Sequence, residues 1–188
     1  MRKWKEPVTR VRIPATVVMN YVDIFNGFIR SGDTVCEVFY GNRPDLIPLL
    51  SLVVKKKGTV FAIDKYSSTE LINNSELFMQ KLPFKNVIFL KSKIPPLPES
   101  IERSSINAFI CREFMWAYAA EHGTPVNLGL VPIVTMHSIN DALKHKGFIL
   151  FFDPISYTNI YLEQFENLFP KKYKKIVQES TYMVLMKE

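Results

Sequence analysis

Cysteine is scarce in this chain of 188 residues: Cys36 and Cys111 are the only two. Two thiols make no disulfide framework, and neither stands in the CxxC or CxxH spacing of a zinc site. A reducing cytoplasm is the expected compartment, and no metal is expected. Long apolar runs are missing as well. The longest covers 46–54, is broken by Pro48 and Ser51, and falls far short of the roughly 18 residues that cross a bilayer, so no membrane partner is expected. The start of the chain is basic and runs on into Arg10 and Arg12 instead of an apolar signal core, which argues against secretion. Glycine is thin, at 7 residues, and no G-x-G-x-x-G, Walker loop or GxSxG is present; HExxH is absent too. Without the glycines a backbone cannot close on a pyrophosphate, so a dinucleotide enzyme is disfavoured.

What remains is a globular balance of 47% hydrophobic and 22% charged residues. It suits one domain over 1–188, with a basic N-terminal arm over 1–14. The formal charge of +6 permits an anionic partner without requiring one.

Val17, Val18, Tyr21, Ile24, Phe25 and Phe28 recur at the three-and-four spacing of one helical face and predict a helix over 15–30. The β-branched segment 34–38 reads as a buried strand. A second helix is expected over 43–54, capped by Asn42, with Pro44 and Asp45 in its first turn; Pro48 argues for a late start or a kink. The continuous apolar run 59–64, closed by an acid, is the pattern of a parallel strand buried on both faces. Helical spacing returns at 68–82. Strands follow at 87–90 and 106–111, with Pro95, Pro96 and Pro98 enforcing an extended loop between them. A helix over 131–144 ends at Gly147, a fifth strand covers 148–153, and a last helix covers 157–169. Segments 174–177 and 181–185 are joined by too few residues for a crossover helix and must pair antiparallel. The alternation predicts an open α/β sheet, mostly parallel with an antiparallel last strand and helices on both faces. Its ligand crevice belongs at the carboxyl ends of the central strands.

The stretch from Glu37 to Arg43 and the acid Asp64 both fall at that crevice. An acid at the second strand's tip can accept both hydroxyls of a ribose; it can equally cap the next helix or meet Lys65. From the end of the fourth strand Cys111, Arg112, Glu113, Phe114, Trp116 and Tyr118 face the same place. Glu113 is the candidate base, and the competing reading is a solvated acid paired with Arg112. Cys111 reads as a core thiol, since Ile110 stands where a pyrimidine-attacking cysteine has a proline. His122 is a candidate proton carrier in a loop, while His137 and His145 read as structural or exposed. The lysines and arginines of the arm, with Lys171, Lys172, Lys174 and Lys175, can contact phosphates or form a solvated rim. Nucleic acid is thus admitted as a partner without being favoured.

Nearly the whole chain from Pro14 onward resembles the class I S-adenosylmethionine-dependent methyltransferases. Glu37-Val38-Phe39-Tyr40-Gly41-Asn42-Arg43 stands where that family has an acid followed by a glycine-rich loop. Ile63-Asp64 matches its ribose-binding acid, 86–90 its third strand, 144–148 the turn into its fifth, and the final hairpin its inverted last strand. The resemblance implies a Rossmann-like fold, S-adenosylmethionine as cofactor, and methyl transfer to an acceptor it does not specify. The other class it allows is a non-catalytic methyltransferase-like binding module. It puts the cofactor on Glu37, Phe39, Tyr40, Gly41, Asn42, Asp64, Lys65, Ser92 and Cys111, with the methionine part over the first loop; the catalytic candidate remains Glu113, chosen from its place at the end of the fourth strand.

Departures accompany the matches. Only Gly41 of the family's three loop glycines is present; Phe39 and Arg43 take the other two places, which makes a close backbone approach harder. Ser92 and Lys93 stand where the family often has an acid for the adenine amino group, and Lys93 cannot accept a hydrogen bond. Arg43 either pairs with the carboxylate of the methionine part or neutralises Glu37. The Asn-Pro-Pro-Tyr type of motif used on exocyclic amines of nucleobases is missing, which argues against that class of nucleic-acid methylation.

Overall fold

Alternation along the strands sorts the apolar residues into two sets. Cys36, Val38, Phe109, Cys111, Ile149 and Phe151 belong to one core, and Val35, Ala108, Ile110, Leu150 and Phe152 to the other. A sheet that is apolar on both faces must be covered on both. The computed structural model, which describes residues 15–40, 45–65, 84–114 and 130–188, shows how this is done.

In chain order the elements are α1 (Ala15–Phe28), β1 (Thr34–Val38), α2 (Leu46–Val54), β2 (Thr59–Asp64), β3 (Val87–Lys91), β4 (Ile106–Arg112), α3 (Leu130–Ala142), β5 (Leu143–Phe152), α4 (Ile155–Leu168), β6 (Tyr173–Gln178) and β7 (Met183–Lys187). The strands form one sheet in the order β3-β2-β1-β4-β5-β7-β6. From β3 across to β5 all pairs are parallel, and β7 runs antiparallel to both β5 and β6. The inverted strand is therefore last in sequence but penultimate in space. Phe25 of α1 and Leu46, Ile47 and Leu50 of α2 fill one face; Met136 and Ile139 of α3 with Tyr161 and Phe165 of α4 fill the other.

Three element boundaries differ from expectation for physical reasons. Helix α2 begins at Leu46, so Pro48 is its third residue, where a backbone N–H has no helical partner to lose. Strand β5 begins at Leu143 instead of 148. Leu143 pairs with Ile106 and Phe148 with Ala108, so the segment between them bulges out of the ladder. Helix α3 stops at Ala142 because the next residue, Leu143, already pairs with Ile106 in the sheet, and Lys187 Nζ, arriving on β7, donates to the carbonyls of Asn140 at 2.6 Å and Leu143 at 2.9 Å. A cation supplied from a distant strand thus satisfies acceptors that the helix leaves open. The helix expected over 68–82 and the arm over 1–14 lie outside the described residues. No helix among the described residues is long and apolar enough to cross a membrane. At one rim of the sheet, β6 exposes Lys174, Lys175 and Ile176. Ile176 is extra to the ladder there, since Lys175 pairs with Leu185 and Val177 with Val184.

Gly58 joins α2 to β2 in a space with no room for a side chain. A Cβ there would lie 2.5 Å from the Asp33 carbonyl oxygen and 2.5 Å from Val54 Cβ. That carbonyl accepts the Thr59 N–H at 3.0 Å, so it cannot retreat without cost. Gly58→Ala is expected to lower the unfolding free energy by about 2 kcal/mol. Gly27→Ala, within α1 and with nothing inside 4 Å of its Cβ position, is the comparison and is expected to keep or slightly raise stability. Urea titration of both variants measures this, and equal midpoints would refute it.

Candidate active site

Parallel register brings three strand ends level with one another. Glu37 of β1 lies opposite Ala62 of β2 and Ile110 of β4. Asp64 and Arg112, two residues further on, therefore stand on the same face just beyond it. Strand succession reverses between β1 and β4, which leaves a crevice at their carboxyl ends.

Arg112 is turned inward, its side chain 10% exposed. Nη1 donates to both carboxylate oxygens of Asp45 at 2.9 Å, and Nη2 lies 3.4 Å from Glu37 Oε1. One guanidinium thus joins the tip of β1 to the residue that opens α2. Asp45 makes no capping hydrogen bond to its own helix; its carboxylate is given to Arg112 instead. Tyr21 of α1 lies in the field of the same three charges, with its ring 5.1 Å from that of Phe152. Glu37 is fully buried, and its Oε2 has no hydrogen-bond partner among the described residues. Burial pushes its carboxyl up to about 8; Arg112 opposes this, and Asp45 and Asp64 add to it. Arg112 spends its short contacts on Asp45 and reaches Glu37 only at 3.4 Å, so its opposition does not overcome burial. Arg43, read from the sequence as pairing either with the carboxylate of the methionine part or with Glu37, lies outside the described residues; among the described residues Arg112 reaches Glu37.

Phe39 follows β1 with φ 58°, the left-handed conformation that favours glycine. The backbone turns here as a glycine would, its N–H bonded to the Ile63 carbonyl at 2.9 Å. The ring goes down into the core, 5% exposed and edge-on to Phe114 at 5.7 Å. The side chain expected to obstruct a ligand is thereby spent on packing. Tyr40 is also buried, with its ring 6.1 Å from Phe89. Burial, with Asp64 and Glu37 nearby, pushes its hydroxyl up to about 12, so it stays a neutral donor among carboxyl groups. Asp64 is 4% exposed, and its carbonyl accepts the Ser92 N–H at 3.0 Å, tying β2 to the residue after β3. Lys65 is half-buried and Lys93 exposed; Ser92 Oγ donates to the Lys93 carbonyl at 3.4 Å. Gly41 and Asn42 lie outside the described residues.

Across the crevice, Glu113 is exposed and has φ 50°. Two hydrogen bonds hold the turn: the Glu113 N–H donates to the Phe152 carbonyl at 3.3 Å and the Phe114 N–H to Asp153 Oδ2 at 3.1 Å. Backbone of this kind persists where its surroundings over-determine it, and it gathers at functional sites. Asp153, at the tip of β5, is 2% exposed, and its Oδ1 has no hydrogen-bond partner among the described residues. Burial pushes its carboxyl up to about 6, against hydrogen bonds from Phe114 and Tyr161. No motif in the sequence marks Asp153; only its position at a strand's end does. Cys36 and Cys111 are fully buried, and burial pushes both thiols up, so neither supplies a thiolate. Phe114 is buried too. His137 is exposed and packs edge-on to Phe169 at 4.9 Å; His145 is exposed. Trp116, Tyr118 and His122 lie outside the described residues.

The raised carboxyl of Glu37 has a signed consequence for stability. A group whose folded value lies near 8, against 4.5 unfolded, contributes stability that is complete below pH 4.5 and is lost as pH rises through 8. Glu37→Gln removes that titration. Relative to the native protein, the variant is expected to gain on the order of a few kcal/mol between pH 5 and pH 9. Denaturant titrations across this range check it, and a difference independent of pH would mean that Arg112 keeps Glu37 ionised throughout.

No family model matches the sequence, and no curated protein matches it either. Solved structures do. A SAM dependent methyltransferase from Aquifex aeolicus superposes with a TM-score of 0.67 at 19% identity, over 93% of this chain and 92% of its own. The precorrin-6y C5,15-methyltransferase of Geobacter metallireducens gives 0.66 at 10% identity, over 96% of this chain and 91% of its own. A SAM-dependent O-methyltransferase from Thermotoga maritima gives 0.63 at 16% identity, over 96% and 67%. Identities this low speak to architecture, and the strand order with its inverted β7 speaks to the same one. The chain has the fold of the class I S-adenosylmethionine-dependent methyltransferases.

Proposed function

We propose that this protein binds S-adenosylmethionine at the carboxyl ends of β1, β2 and β4 and transfers its methyl group to an acceptor. The observation that carries the reading is the meeting, on adjacent strands, of a glycine-type turn at Phe39 and a buried acid at Asp64. The residues present fit such a ligand. Asp64 is the acceptor for the ribose hydroxyls, with Lys65 and Ser92 beside the adenine. The segment from Glu37 through Tyr40 underlies the methionine part, and the buried oxygen of Glu37 with no hydrogen-bond partner among the described residues offers one more acceptor there. S-adenosylmethionine, when bound, supplies a methyl group on a sulfonium, which needs in-line positioning more than activation. Glu113, exposed at the end of β4, takes the proton of an acceptor that must lose one. A module that holds the ligand without transferring a methyl group is the second reading, favoured by a buried phenylalanine in a place where the family has glycine.

Titration calorimetry with S-adenosylhomocysteine tests the first step. The native protein is expected to give heat and a raised melting temperature, and Asp64→Ala to weaken binding by about tenfold or more, in proportion to lost hydrogen bonds to a diol. A native protein with neither signal would end the cofactor reading. Transfer of a labelled methyl group to pooled nucleic acid, protein and small-molecule acceptors separates enzyme from module. Glu113→Gln is expected to lower turnover by about a hundredfold and leave cofactor affinity intact, because a base acts in the transition state. Binding without transfer to any pool would favour the module.

A further inference from the structure

We infer that Arg112 is a positioning residue, which fixes the tip of β1 against the start of α2 and through that tip sets the affinity for the nucleoside ligand. The inference rests on the cofactor reading above. Its geometry is that of a bridge. Nη1 holds both oxygens of Asp45 at 2.9 Å, while Nη2 points at Glu37 Oε1 at 3.4 Å. The two anchored residues bracket Phe39 and Tyr40, whose backbone turns in the left-handed conformation at Phe39. Asp45 is the first residue described after that turn, and it forgoes a cap on its own helix to make the bridge.

A buried ion pair is a poor source of stability, since the cost of removing both charges from water commonly matches the attraction regained. The arrangement is better explained by what it orients. Two nitrogens on a planar fork reach two carboxyl groups on different elements at once. A lysine, with one nitrogen, keeps the charge and loses that grip. Of the two carboxyl groups on the bridge, Asp45 is bound tightly and Glu37 at long range. The bridge therefore orients α2 firmly and leaves Glu37 with an oxygen to offer.

Calorimetry with S-adenosylhomocysteine, run beside thermal melts, tests this on four proteins. They are the native chain, Arg112→Lys, the pair Asp45→Asn with Arg112→Met, and Glu37→Gln. Removing Asp45 and Arg112 together deletes one charge of each sign and leaves Glu37, whose carboxyl burial pushes up to about 8 and which loss of the cation pushes further toward the neutral form, so at pH 7 or below the paired variant is expected to melt near the native temperature. Its affinity is expected to fall about tenfold or more, because a displaced contact surface costs binding even when the fold survives. Arg112→Lys is expected to lose affinity by a similar factor with its melting temperature nearly kept. Glu37→Gln reports any direct contact of that carboxyl, so that loss at the paired variant is not confused with it. Native-like affinity in the paired variant, or full affinity with lysine, would overturn the inference while leaving the cofactor reading in place. Loss of affinity only in step with loss of melting temperature would overturn it as well. Failure of the native chain to bind would end both.

Discussion

The pairing of β1 with β4 is the constraint on which the rest of the molecule depends. Successive strands step outward from β1 to β2 to β3 on one side, and then the chain must return to lay β4 against the free flank of β1. That return divides the helices between two faces and opens the sheet at the point of reversal. Parallel strands buried on both faces have nowhere within the sheet to keep polar groups. The polar residues accordingly collect at the strand ends. Glu37, Asp64, Arg112 and Asp153 all occupy such ends, and Glu113 follows one directly.

Charge at these ends is arranged for orientation more than for strength. Arg112 is shared unequally between Asp45 and Glu37, so the buried carboxyl on β1 is left with a partial partner and a proton near neutral pH. Asp153, on the neighbouring side of the crevice, is held by a backbone N–H and a tyrosine hydroxyl and is likewise pushed upward by burial. A wholly stabilising design would have filled these places with apolar side chains. The two left-handed residues at the crevice, Phe39 and Glu113, add a local cost of the same kind.

Much of the architecture was legible because it is written in short-range periodicity. The strands 34–38 and 59–64 can be read to the residue, and the closing hairpin follows from the brevity of its connection. The start of β5 was not legible, since Leu143 is as apolar as the helical residues before it and only its pairing with Ile106 reveals a strand. The end of α3 was hidden for the same reason, and the lysine that bonds the carbonyls there lies on β7. At the site, Glu37, Phe39 and Asp64 were singled out by their position at the ends of their strands or just beyond. The partner of Glu37 did not, because Arg112 is 75 residues away and meets it only through the β1–β4 register. The burial of the Phe39 ring was also out of reach, as it depends on Phe114 from another strand's end.

The rim strand β6 has a consequence for how copies of this chain meet. An open strand edge offers unpaired N–H and carbonyl groups as a template on which another chain can add its own strand. Here that template is spoiled twice. Lys174 and Lys175 project from opposite sides of the edge, so an incoming strand meets positive charge on either face. Ile176, one residue in excess of its partner strand, breaks the regular spacing that strand addition requires. The same sheet that buries so much apolar surface thus ends, at β6, in a border poorly suited to adding another strand.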